Sequence, residues 1–320
     1  MTARRRFFSI PAVIVAWLVL TPLVPLFVLI GLAVDGIRWL GKRCPFMAIR
    51  LVVFGWVYLT AEVVGLGALF LAWVVPGDTV ERTWGIQAKW AGVLLAAVER
   101  IFSISISVVG AEVLRNSPYV VLMRHASIVD NLLPARLITS RAGVRLRYVL
   151  KRELLADPCL DVAGTRLPNH FVDRSGVDSD AEIAAVRRLG DDLPDDQAIL
   201  IYPEGTRFSS AKRERAIVKV RQSAPHLASR AAGLTHLLPP RPGGVLALLS
   251  AKLDVVVCTH IGLDGFASLA DIWRGAMVDR TVQVEFWRYP ASGLPVDRDA
   301  LIDWLYGRWM EVDAWVGARA

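Results

Sequence analysis

The chain of 320 residues is poor in the residues that staple or metallate a fold, having three cysteines and five histidines. Cys44, Cys159 and Cys258 are far apart and odd in number, which leaves a disulfide framework or a four-thiolate zinc site unsupported. The histidines other than His125, namely His170, His226, His236 and His260, are scattered without ligand spacing, so no metal or other cofactor is expected. No Gly-x-Ser-x-Gly elbow occurs, which argues against a serine acyl-enzyme. Helix-turn-helix, zinc-finger and RNP signatures are missing too, and no basic run interleaved with aromatics lies outside the N-terminus. Nucleic acid is therefore not an expected partner, although a net charge of +7 leaves anionic lipid or an anionic substrate open.

What is abundant is apolar sequence. Hydrophobic residues make up 54% of the chain and mean hydropathy is +0.43, high for a protein that meets only water. The excess lies before residue 110, and the remainder alternates apolar runs with charged, Gly-bearing and Pro-bearing stretches, as an α/β domain would. Ile10 to Val34 is long enough to cross a hydrocarbon core, with Pro11, Pro22 and Pro25 as kinks; Leu51 to Val75 is as long, interrupted by Glu62. The pair reads as a helical hairpin. A cleavable signal peptide is the rival for the first run, but it is long for an h-region and no small-residue cleavage site precedes Asp35.

Basic residues flank both ends of the first run: Arg4, Arg5 and Arg6 before it, Arg38, Lys42, Arg43 and Arg50 after it. A kinked, re-entrant hairpin in the cytoplasmic leaflet satisfies both clusters, whereas a two-pass crossing satisfies the first alone. Gly36, Gly41 and Lys42 imitate the start of a phosphate-cradling loop, but Arg43 stands where Ser or Thr belongs, so a basic membrane-interface loop is expected. The division drawn from these runs is a membrane-anchoring hairpin and linker over 1–90 and an α/β domain over 91–320. Ala91 to Val98 reads as a further apolar helix, and the alternation from Ser103 to Val108 as a strand.

Within the α/β domain, Tyr119 to Met123 predicts a strand that stops at Arg124 and His125, with a helix expected through Asp130, Leu133, Leu137 and Ile138. On one regular helix His125 and Asp130 would stand roughly 140° apart. With His125 in the strand-to-helix turn and Asp130 in the first helical turn, the carboxylate could instead hold one ring nitrogen while the other faces substrate. A histidine that merely caps the helix fits the spacing as well. A second apolar strand, Ile199 to Ile201, runs into Pro203, Glu204, Gly205, Thr206 and Arg207. There Gly205 permits a tight turn, Thr206 offers a hydroxyl and Arg207 can fork onto phosphate oxygens; an N-capped strand-to-helix turn is the plainer alternative. Phe171, Val172, Asp173 and Arg174 repeat the theme, making Arg174 a candidate second phosphate contact. The run Leu301, Leu305, Trp309, Val312, Val316 has helical spacing and should pack on the sheet.

These blocks, in this order, resemble those of the glycerolipid acyltransferase family: His-x-x-x-x-Asp at His125 to Asp130, Phe-Ile-x-Arg at Phe171 to Arg174, and Pro-Glu-Gly-Thr-Arg at Pro203 to Arg207. His236 to Gly244 is similar to the His-Leu-Leu-x-Pro-Arg-x-x-Gly segment of its lysophospholipid acyltransferase branch, and Leu253 to Thr259 resembles the family's fourth, strand-forming block. Arg124 departs from the usual Asn and Pro168 from the usual Gly; the first adds a positive charge beside the base and leaves the acceptor headgroup open. The resemblance implies a mixed sheet flanked by helices, and acyl transfer from acyl-CoA or acyl carrier protein to a lysophospholipid hydroxyl, foremost that of 1-acylglycerol-3-phosphate. It implies His125 as general base oriented by Asp130, and Arg174, Gly205, Thr206 and Arg207 as phosphate contacts, with Glu204 buttressing their loop. The domain would then face the cytoplasm. Scarcity of lysine relative to arginine points to a GC-rich genome, hence a bacterial inner membrane. Hydrolysis of the thioester by water is the competing chemistry.

Overall fold

The computed structural model describes residues 2–173, 179–264 and 269–320. Four long helices come first: α1 (Thr2–Leu20), α2 (Val24–Lys42), α3 (Ala48–Val74) and α4 (Thr79–Phe102). Only a single 3₁₀ turn, Thr21–Leu23, with Pro22 inside it, separates α1 from α2. The segment from 36 to 42, expected as a basic loop, is instead the end of α2. The physical reason is Asp35, fully buried, whose carboxylate accepts from the backbone N–H groups of Met47, Ala48 and Ile49 at 3.0 Å each and from Arg38 at 3.1 Å. One carboxylate thus satisfies the orphan donors that open α3 and closes the hairpin within residues 43–47.

The hairpin lies along the α/β domain. Arg5 bridges Asp161 through two 2.8 Å bonds, Arg166 donates to the Leu69 carbonyl at 2.8 Å, and Arg38 donates to the Trp273 carbonyl at 2.7 Å. The outer side of α1 and α2 is left apolar and exposed, at Phe7, Leu18, Leu29 and Leu40 among others. α4 is capped by Asp78, which accepts from Val80 and Glu81, and its Leu95, Val98 and Phe102 enter the core beneath the sheet. The division expected at residue 91 falls inside this helix, so no interruption of the chain marks it.

The remainder supplies strands β1 (Ser105–Val109), β2 (Tyr119–Met123), β3 (Arg145–Lys151), β4 (His170–Val172), β5 (Gln197–Ile201), β6 (Asp254–Ile261) and β7 (Thr281–Tyr289). They form one mixed sheet in the order β1-β7-β6-β2-β5-β3-β4, parallel at every pairing except β6 with β7. Interleaved are α5 (Pro158–Arg166), α6 (Ser179–Arg188), α7 (Ser210–Ser223), α8 (Ala228–Gly233), α9 (Pro242–Leu249) and α10 (Leu269–Arg274), with α11 (Arg298–Gly317) last. β2, β5 and β6 are central and almost continuously apolar, as strands covered on both faces must be. One face packs on α4; the other packs on α6, α9 and α11, with Leu301, Leu305, Trp309, Val312 and Val316 all buried as their spacing predicts.

After β2 the expected regular helix does not form. A 3₁₀ turn, Val129–Leu132, is followed by Pro134 and a wide π turn, Ala135–Ser140. Pro134 has no N–H to continue an α-helical ladder, and the looser turns let the chain fold back toward β2.

Candidate active site

β2, β5 and β6 run parallel, so their C-terminal ends open on the same edge. Arg124 extends β2 by one bond, its N–H donating to the Cys258 carbonyl, and His125 begins the turn. Asp130 is fully buried and turns back on that start: one oxygen accepts from the N–H groups of Ala126 and Ser127 at 2.7 and 2.8 Å, and the other lies 3.2 Å from His125 Nδ1. Two backbone donors hold the carboxylate in one orientation, and the carboxylate in turn fixes the proton on Nδ1. Nε2 is left as the acceptor. The ring packs against Tyr202, centroids 4.4 Å apart.

The turn after β5 is built against the first one. Gly205 sits at φ +68°, a left-handed position open to glycine, and its N–H donates to the Tyr202 carbonyl at 2.9 Å. Glu204, expected to buttress this loop, is turned inward. It is buried, with one oxygen accepting from His125 N–H at 2.9 Å and the other from Leu238 N–H at 3.0 Å. It therefore braces three loops and is no substrate contact. Burial pushes its carboxyl up to about 8, against the pull of the two N–H bonds and of Arg124. Thr206 is held from behind: Lys212 donates to its hydroxyl at 3.3 Å and to the Arg207 carbonyl at 3.1 Å.

A cavity of about 500 Å³ opens between these turns, with His125, Tyr202, Gly205 and Arg207 on its wall. Its apolar side is formed by Val149, Leu150, Leu154, Val172, Ile183 and Ile201. Its cations are Arg207, Lys151, Lys219 and Arg241, its carboxylates Asp173 and Glu182. Asp173 pairs with Arg152, and Glu182 accepts from or shares a proton with His170 at 2.6 Å. Among the described residues no carboxylate or carbonyl engages the side chains of Arg207, Lys219 or Arg241. The cavity thus offers an oriented histidine, an apolar wall and, among the described residues, three cations with no anionic partner.

Arg174 lies outside the described residues, directly after the cavity residue Asp173. Arg241 and Lys219 went unassigned in the sequence. Arg241 sits in the segment from His236 to Gly244 and is brought to the site by its N–H, which donates to the Pro203 carbonyl at 2.8 Å. Lys219 carries no sequence signal beyond the basic character of α7. Arg124 is a correction: it is 2% exposed and bonded to the His260 carbonyl and to Asp264 at 2.6 and 2.7 Å. Its charge is buried and paired, and it is not among the residues that line the cavity.

Residues 105–261 match the family model described as Acyltransferase. The curated 1-acyl-sn-glycerol-3-phosphate acyltransferase gamma of Mus musculus is 29% identical over 201 residues, covering 61% of this chain and 51% of that protein. The Homo sapiens protein of the same name is 27% identical over 172 residues, covering 52% and 44%. The chain thus spans about half the length of the curated relatives it matches. The crystal structure of a 1-acyl-sn-glycerophosphate (LPA) acyltransferase from Thermotoga maritima aligns with a TM-score of 0.50 at 13% identity, over 83% of this chain and 95% of that one. That likeness is one of fold.

Proposed function

Because residues 105–261 match the Acyltransferase family model, we propose that the chain is a glycerolipid acyltransferase that moves a fatty acyl group from acyl-CoA or acyl carrier protein to the free hydroxyl of 1-acylglycerol-3-phosphate, giving phosphatidic acid. The observation that carries this reading is His125, steadied by Asp130, on the wall of a cavity with three uncommitted cations. Nε2 accepts the proton of the acceptor hydroxyl as that oxygen attacks the thioester carbonyl. The tetrahedral intermediate then expels the thiolate, which takes the proton back from the imidazolium, so the base is restored and no acyl-enzyme forms. General-base help of this kind is worth about 10² to 10⁴ in rate, and holding two substrates in line supplies much of the rest.

A phosphate monoester suits the uncommitted Arg207, Lys219 and Arg241. A choline headgroup does not, because a quaternary ammonium wants aromatic faces, and among the described residues on the wall the one Phe, Tyr or Trp ring, Tyr202, packs against His125. Acceptor specificity tests this: lysophosphatidic acid should be used well above lysophosphatidylcholine with one acyl-CoA, and label released as free fatty acid without acceptor would favour a hydrolase.

Membrane association follows from the exposed apolar faces of α1 and α2 and the length of α3. Because Arg5 and Arg38, at opposite ends of the α1–α2 segment, both hold residues of the α/β domain, we place the hairpin within the cytoplasmic leaflet, beside the domain. Labelling of Lys42→Cys by an impermeant alkylating reagent in intact cells would overturn that placement.

A further inference from the structure

The end of β2 and the end of β6 hold each other through a reciprocal pair of bonds that neither the blocks of the sequence nor the cavity includes. The guanidinium of Arg124 donates to the backbone carbonyl of His260 at 2.6 Å, and Nε2 of His260 lies 3.1 Å from the backbone carbonyl of Arg124. A second arm of the guanidinium is anchored on Asp264 at 2.7 Å. His260 is fully buried, and burial lowers its pKa and favours the neutral ring; the bond to the Arg124 carbonyl then places the proton on Nε2, leaving Nδ1 an acceptor with no partner among the described residues. The same Nε2 is 3.6 Å from Asp130 Oδ2, the oxygen that accepts from the N–H groups of Ala126 and Ser127.

Relying on the reading of His125 as the base, we infer that Arg124 and His260 are positioning residues that set the His125–Asp130 geometry. The peptide that bears His125 begins at the Arg124 carbonyl. If that carbonyl swings, the imidazole swings with it. His260 fixes the carbonyl and stands 3.6 Å from Asp130, while Arg124, bonded to the His260 backbone, keeps β6 from drifting away. Neither residue lines the cavity, so neither should affect substrate binding. A displacement of about 1 Å at a base costs about 100-fold in rate, which is the scale expected.

The test is steady-state kinetics of the full chain in phospholipid vesicles with lysophosphatidic acid and one acyl-CoA. His260→Leu should lower kcat about 10- to 100-fold with both KM values within about twofold. His260→Gln, whose amide N–H can reach the same carbonyl, should recover most of that loss. In the His125→Ala background His260→Leu should cost nothing more, because it acts through the imidazole that is gone. If His260→Leu does not fold, Arg124→Met makes the same measurement from the other side of the clamp. A near-normal kcat in either variant, beside an inactive His125→Ala, overturns the clamp alone. So does an equal further loss in the His125→Ala background, which would mark a general structural defect. A fully active His125→Ala overturns the catalytic reading itself.

Discussion

Two neighbouring turns, after β2 and after β5, each bury a carboxylate beside His125, and they use it in opposite ways. Asp130 turns its oxygens to the imidazole ring and two N–H groups of its own turn; Glu204 turns both of its oxygens to backbone N–H groups of other segments, one of them that of His125. The first sets which nitrogen of the imidazole carries the proton. The second sets where the imidazole stands relative to the loops carrying Arg207 and Arg241. Two side-chain carboxyl groups of similar burial are thus told apart by what their oxygens face, and their removal should fail in different measurements.

Asp130→Asn should give the larger effect, with kcat falling about 100-fold or more because the amide no longer fixes Nδ1–H, while KM for the acceptor changes little. A rate within a factor of a few of wild type would erase the distinction between the two turns. Glu204→Gln should act mainly on stability, since one of its two N–H partners loses its acceptor at a cost of about 1–3 kcal/mol. The pH dependence sharpens this. A carboxyl held near 8 in the folded protein stays protonated where the unfolded chain has already lost the proton. The stability contribution of this group therefore falls as pH rises from the ordinary glutamate range to about 8, and thermal melts of the Gln variant should be flatter over that window. An identical slope in the variant would contradict the assignment.

Smaller effects belong to the cations on the second turn and its neighbours. Arg207→Ala should lower kcat/KM for lysophosphatidic acid about 10- to 100-fold, chiefly through KM, leaving the KM for acyl-CoA in place. Lys219→Ala, on an exposed side chain, should cost about threefold to tenfold in the same quantity. Equal effects on donor and acceptor would move the phosphate elsewhere.

Much of this arrangement was legible before any coordinates. His125, Asp130 and the turn from Pro203 to Arg207 stand at strand ends, where apolar runs stop abruptly at polar residues, and that is a local signal. The mixed sheet with flanking helices was what the family resemblance implied, and the packing of α11 followed from its helical spacing. What was misread depended on contacts distant in the chain. Arg124 looked like a charge beside the base because its acceptors lie 136 and 140 positions away. Glu204 was expected to buttress its loop, but nothing local says that the segments it ties together are those of residues 125 and 238. The hairpin loop was drawn too long because Asp35, an acid in apolar surroundings, was not seen as the cap of the following helix. Arg241 and Lys219 reach the cavity only after the loops and α7 have folded around β5.

The central claim, that the His125 imidazole is the base for an acyl transfer, is tested most directly by acyl transfer from one acyl-CoA to lysophosphatidic acid in vesicles carrying wild type or His125→Ala. The substitution should remove about 10⁴ of the rate while the protein stays folded and vesicle-bound. Phosphatidic acid formed at a near-normal rate by the folded variant would contradict it.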